Sequence, residues 1–202
     1  RFSDQIECLS LPAWDCLPYD RVSAHSTITA KRIQTLSNLS VLTKTDHQKP
    51  FILLTTVNGW LQKLPPLSFF SSSCLRLRAG QSIAQDEIAS FLTRNGFRRA
   101  QTVREYGEFS IRGGIVDIYP HTDALPVRLD FFGDEIESIK SFDSLSQRSE
   151  SQIQHVDIRP AYEFLLDDET ITHFRQGYLK NFGGRSARDE LYESVSAGRV
   201  VP

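Results

Sequence analysis

The stretch PVRLDFFGDEIESI, residues 126–139, reads as two strands meeting at a Gly133-Asp134 turn. Side chains alternate between faces along an extended chain, so Val127, Leu129 and Phe131 point one way and Arg128, Asp130 and Phe132 the other. The first set is a core face. The second carries two charges and a large apolar ring, which core packing alone does not ask for. Pattern leaves two readings level. Either Phe132 packs beneath its own hairpin turn while the arginine pairs with a nearby carboxylate, or ring and arginine belong to a protein interface, where that mix is enriched.

Working outward, EFSIR (108–112) and GIVDIYP (114–120) precede this stretch and IESIKSF (136–142) completes it. Short links between successive strands imply antiparallel pairing. In IESIKSF the apolar residues Ile136, Ile139 and Phe142 fall three apart, which predicts a bulge and leaves the register open. If EFSIR buries Phe109 and Ile111, its other side shows Glu108, Ser110 and Arg112, making Arg112, Arg128 and Phe132 candidates for one solvated sheet face. Ahead of these strands, Ser82 and Gln85 form a capping-box pattern, followed by Ala84, Ile88, Phe91 and Leu92 on one helical face and Gly96 as a stop. Residues 70–155 thus read as a small α+β domain.

Nearer the start, STITAKRIQTLSNLSVL (26–42) places Ile28, Ile33, Leu36 and Leu39 at mostly helical spacing behind a Ser26 or Thr27 cap. FILLTTV (51–57) is a continuous apolar and β-branched run, expected as a strand buried on both faces of a parallel sheet. NGWLQKLPP then predicts about two helical turns ended by Pro65 and Pro66. The character changes in LSFFSSSCLRLRA (67–79), where alternating Leu75-Arg76-Leu77-Arg78 suits an edge or crossing strand, and a domain boundary is expected there. Helices are expected again over 167–179, from Ile171, Phe174 and Tyr178, and over 184–198.

Composition bounds the function. The 202 residues are 40% hydrophobic, enough to bury a core, and 23 basic against 25 acidic residues give a net charge of -2. No global basic field exists to hold nucleic acid, so any DNA contact needs a local patch. Cys8, Cys16 and Cys74 are odd in number and lack a C-x-x-C pair, which fits neither a disulfide framework nor a zinc site and points to a reducing cytoplasm. No apolar run approaches the ~20 residues that span a bilayer, so neither membrane nor export is expected. A chain opening on Arg1 and containing no Met is expected to be a piece of something longer.

Catalytic motifs are not found. G-x-x-x-x-G-K-[ST] is absent, and the pairs Gly113-Gly114 and Gly183-Gly184 read as backbone turns. His25, His47, His121, His155 and His173 show no ligand spacing, and Asp134, Glu135 and Glu137 follow a turn, where carboxylates serve solvation more often than acid/base work.

The run REYGEFSIRGGIVDIYPHTDALPVRLDFFGDEIESIKSFDSLSQRS (104–149) resembles the module that the bacterial transcription-repair coupling factors, the Mfd family, share with the excision-repair subunit UvrB. The carriers are GEFSIRGG, DIYP, RLDFFGDEIESI and FDSLSQR. LPAWDCLPYDRVSAH (11–25), FILLTTVNGWLQKLPP (51–66), PAYEF (160–164) and LYESVSAG (191–198) are similar to the coupling factors rather than to UvrB. This resemblance implies a degenerate RecA/helicase-like α/β domain that has lost ATP binding, interrupted by a small α+β domain with a mainly antiparallel sheet. It implies domain 1A over 1–73, a UvrA-binding domain 2 over 74–159 and the start of domain 1B over 160–202. The family's UvrA-contact residues fall on Arg112 of IRGG and on Arg128 and Phe132 of VRLDFF. A C-terminal domain masks that face in the family until the motor engages stalled RNA polymerase. The mask, ATP, magnesium, DNA and polymerase all belong to other parts of the family protein. The implied fragment is therefore non-catalytic, without a cofactor of its own, and serves nucleotide excision repair. Its rival is a nucleotide-hydrolysing, helicase-like domain related to UvrB, which the missing phosphate loop argues against.

Overall fold

Leu11, Ile33, Leu36 and Phe70 build a first apolar core, with Leu39, Leu53 and Phe69 packed against it. The computed structural model describes residues 6–17, 22–42, 50–120, 125–183 and 189–199. His47, His121, Gly184 and the opening of the 184–198 helix lie outside them. By compactness the chain divides into one unit of 1–15 with 24–163 and a second of 16–23 with 164–202.

In the first unit, β1 (Glu7–Leu11) pairs in parallel with β2 (Phe51–Thr55), Leu9 opposite Leu53. Helix α1 (Ser26–Leu42) buries Ile33 and Leu36 against Leu11 and Phe70. The helix runs where spacing predicts it, but His25 starts it. The His25 carbonyl accepts from the Ile28 and Thr29 N–H groups at 2.9 and 3.1 Å, and its ring Nδ1 accepts from Thr27 N–H at 3.3 Å, so neither Ser26 nor Thr27 is the cap. Strand β2 departs from expectation too. Phe51 and Leu54, on opposite faces, are 41% and 58% exposed, in a sheet of two strands among the described residues. A short helix α2 (Val57–Leu61) follows, capped by the Thr56 hydroxyl, which accepts from Gly59 N–H. One turn more of helix, α3 (Leu67–Ser72), occupies part of the stretch read as a change of character, and its Phe69 and Phe70 meet edge to face at 4.8 Å.

β3 (Leu75–Arg78) is a strand, as its alternation predicts, and pairs with a distant antiparallel partner, β10 (His155–Ile158). Between them lie α4 (Gln85–Arg94), β4 (Arg98–Arg99), β5 (Glu108–Arg112), β6 (Ile115–Ile118), β7 (Val127–Phe132), β8 (Glu135–Phe142) and β9 (Ser149–Ile153). The predicted capping box of α4 does not form. Ala84 takes the cap position without a side-chain bond, and Ser82 bridges to Glu135 instead. Buried Ile83 and Ile88 bracket the first turn as an apolar staple, and Asp86 and Glu87 sit at the positive end of the helix dipole. Gly96, at φ +85, ends the helix as expected.

Strands β4 to β9 form one sheet in chain order, parallel between β4 and β5 and antiparallel elsewhere. One face packs Phe109, Val116, Leu129 and Ile139 onto Ile88 and Leu92 of α4 and onto Leu77 and Val156 of the β3–β10 pair. The predicted bulge is present. Asp130 faces Ser138 while Phe131 faces Ile136, leaving Glu137 as the extra residue, and a second shift falls between Lys140 and Phe142. Glycine turns close the hairpins β5–β6 and β7–β8, with Gly113 at φ +57 and Gly133 at φ +62. The two hairpins approach closely, since a Cβ on Gly114 would lie 2.9 Å from the Phe131 carbonyl oxygen. The architecture of this unit is mixed α/β, with its largest sheet mainly antiparallel.

In the second unit, α5 (Asp168–Phe182) is capped reciprocally by Asp167 and Thr170 and is joined by α6 (Glu190–Ser196). Phe174 and Tyr178 pack against Tyr192, and Tyr178 donates to Asp189 at 2.8 Å. No described helix is long and apolar enough to cross a membrane.

Candidate functional site

The outer face of the six-stranded sheet is polar because of strand alternation, and what matters is how its charges are arranged. Pairing sets Asp117 of β6 directly opposite Ser110 on one side and Arg128 on the other. Arg112, two residues beyond Ser110, stands diagonal to Asp117, within reach of a long side chain. The Asp117 carboxylate is sealed, with its side chain 1% exposed. Arg128 grips it as a fork, donating from Nε to Oδ1 at 2.7 Å and from Nη2 to Oδ2 at 3.0 Å. Arg112 adds one bond, Nη2 to Oδ2 at 3.1 Å. A carboxylate removed from water is tolerable here because it is paired on both sides.

Arg128 is held from below as well. Its guanidinium lies 4.8 Å from the Phe142 ring centroid, and its Nη1 donates to the Gln147 carbonyl at 3.4 Å. Gln147, at φ +61, donates its own amide to the Val103 and Ser144 carbonyls. Val103, Tyr119 and Phe142 form a small apolar cluster beneath, where Tyr119 sits 4.3 Å from Tyr106. Burial, with the Tyr106 hydroxyl beside it, pushes the Tyr119 phenol up to about 12. The hydrogen bond to Asp117 holds the Arg128 guanidinium above its ordinary range, against the opposing effect of burial.

Two further carboxylates flank this arrangement. Burial alone would raise the Asp130 carboxyl, yet hydrogen bonds from Lys140 and Ser138, both 2.7 Å, outweigh it and hold the group below its usual range. Glu108 behaves alike. Burial is its largest single influence, and the Arg104 and Glu105 backbone N–H groups together with Arg98 overcome it.

Phe132 ends β7 opposite Glu135 and is 83% exposed. It does not pack beneath its turn. The structure thus brings Arg112 and Arg128 together on one carboxylate and leaves Phe132 standing in solvent at the hairpin end of the same strand row. Asp117 is the member that reading by pattern did not single out. Its signal was present, since a lone carboxylate inside the apolar run GIVDIYP falls opposite Arg128 once the hairpins are registered. Asp134 is exposed in the turn and Glu135 and Glu137 are exposed on β8 just after it, and Gly113-Gly114 is a hairpin turn. Among the described residues no group of three His, Cys, Asp or Glu gathers as a metal site.

Residues 75–164 match the family described as the UvrB interaction domain. Over 200 residues the chain is 34% identical to the transcription-repair-coupling factor of Escherichia coli (strain K12), a match covering 99% of this chain and 17% of that protein. The transcription-repair-coupling factor of Rickettsia prowazekii (strain Madrid E) is 37% identical over 202 residues, with 98% and 17% covered. That of Staphylococcus haemolyticus (strain JCSC1435) is 32% identical over 206 residues, with 99% and 17% covered. The chain therefore spans about a sixth of the length of the curated relatives it matches.

Proposed function

From a chain related over nearly its whole length to the transcription-repair-coupling factors, with residues 75–164 belonging to the UvrB interaction domain family, we propose recruitment of UvrA through the polar face of the six-stranded sheet. In this reading Arg112, Arg128 and Phe132 make the contact surface. The chain then acts as a non-catalytic binding module that brings UvrA to stalled RNA polymerase in nucleotide excision repair. Polymerase, DNA, ATP and magnesium engage other parts of the full-length protein, whose C-terminal domain covers the face at rest. Residues 1–73 and 160–202 belong in the same reading to a degenerate RecA-like domain, parts 1A and 1B, interrupted by domain 2 over 74–159. The working compartment is the cytoplasm.

One observation carries the proposal: a phenylalanine 83% exposed shares a strand with an arginine that is forked onto a buried carboxylate. Aromatic plus arginine on one sheet face is the composition of binding hot spots. The test is capture of purified UvrA by this chain with Arg112→Ala and Phe132→Ala, beside a thermal melt. Lost capture with an unchanged melt supports the reading. Wild-type capture by both variants overturns it.

A further inference from the structure

Resting on the reading of this face as a partner-binding surface, we infer that Asp117 is a positioning residue: it occupies the fork of Arg128 and fixes Arg112, so that Arg112 and Phe132 touch the partner while Arg128 acts through Asp117. The two arginines are not equivalent. All three guanidinium nitrogens of Arg128 are engaged within the chain, two by Asp117 and one by the Gln147 carbonyl, and its side chain is 16% exposed. It has little left to offer a partner. Among the described residues Arg112 spends one nitrogen on Asp117, and its side chain is 53% exposed, which leaves donor capacity toward solvent.

Charge balance gives the partner's chemistry. One buried carboxylate against two guanidiniums leaves a single net positive charge, presented on Arg112. An acidic side chain fits it, with an apolar recess for the Phe132 ring. Asp117 also limits the rotamers of Arg112 before the partner arrives, so less side-chain freedom is lost on docking. Without it, two guanidiniums on the strands either side of β6 repel and Arg112 swings free.

The 202-residue chain and purified UvrA decide this by titration calorimetry. Arg112→Ala is expected to weaken binding by about 30-fold or more, and Asp117→Asn by about 10-fold. The double variant should bind no more weakly than Arg112→Ala alone, because Asp117 works only through that arginine. Arg128→Lys keeps the charge, loses the fork and should match Asp117→Asn, again with no further effect beside Arg112→Ala. A purely structural Asp117 would give losses that multiply in the double variant, and that result overturns the inference. So does wild-type affinity in Asp117→Asn while Arg112→Ala fails to bind. Should Asp117→Asn not fold, Arg128→Lys with and without Arg112→Ala carries the same comparison. Wild-type binding by Arg112→Ala and Phe132→Ala together would instead sink the reading beneath it.

Discussion

Arg32 and Arg112 both rest on a carboxylate, yet Arg32 is closed in on every side and Arg112 stands half in water. Arg32, on α1, is 0% exposed and forks onto Glu163, donating from Nη2 to Oε2 at 3.0 Å and from Nε to Oε1. Its Nη1 reaches the Pro12 carbonyl and Gln62, the Trp14 ring lies 4.9 Å from its guanidinium, and the indole N–H donates to Glu163 at 3.2 Å. All three guanidinium nitrogens are engaged inside. This cluster ties Glu163, at the end of the 75–164 segment, back to α1 and to Trp14, just beyond β1. At Arg112, one bond goes inward and the remaining donors face outward. The contrast separates two uses of one ion pair: sealed, it specifies how segments pack; left open, it holds a charge in place for something else.

Glu163→Gln is the largest blow to that contrast. It leaves a buried guanidinium without its counter-charge, and the expected loss is about 3 kcal/mol of unfolding free energy by urea titration, with UvrA capture by the folded fraction intact. An unchanged urea midpoint would mean that the sealed pair does not specify the packing. Phe132→Ala is the mirror case. It should lower UvrA binding by about 2 kcal/mol and alter stability by less than about 0.5 kcal/mol, because the residue is 83% exposed in the free chain.

Acid sharpens the comparison next. Glu108 and Asp130 have folded pKa values below their ordinary 4.5 and 3.8, so they contribute stability that is complete above those values and is lost as pH falls through the lower, folded ones. Thermal melts between pH 7 and pH 2 should show that decline, and Glu108→Gln should flatten it. A profile of equal slope in the variant would remove Glu108 from the account. The smallest effect belongs to Arg76→Ala, which breaks the Asp157 pair at the surface, where side chains are 53% and 27% exposed. Solvent screening leaves such a pair worth little, so a fall in the melt as large as that of Glu163→Gln would show that access to water is not what ranks these pairs.

Much of the sheet was legible. Strands over 108–112 and 127–132 fall where alternation puts them, and the bulge follows the broken spacing of Ile136, Ile139 and Phe142. Each of these signals lies within a few neighbouring residues. Strands β1, β4, β9 and β10 were not anticipated, since two are polar or very short and all depend on partners elsewhere. Nor was the exposure of β2, whose apolar run looks the same whether one face is covered or two. The replaced caps of α1 and α4 show the same limit. A serine at the right spacing offers a cap, but Ser82 is drawn into a bridge with Glu135 across the domain.

Local order therefore offered Arg112, Arg128 and Phe132 as candidates for one polar face, from period-two alternation in strands expected to pair antiparallel. It also settled that large apolar residues form a core on the opposite face, because alternation and hydrophobic burial act residue by residue along the chain. Only the folded molecule decided how free each of those side chains is. Arg128 is spent on Asp117, Arg112 is half open, and Arg32 is sealed by a carboxylate 131 residues away, because exposure and pairing depend on neighbours that the chain brings together from afar.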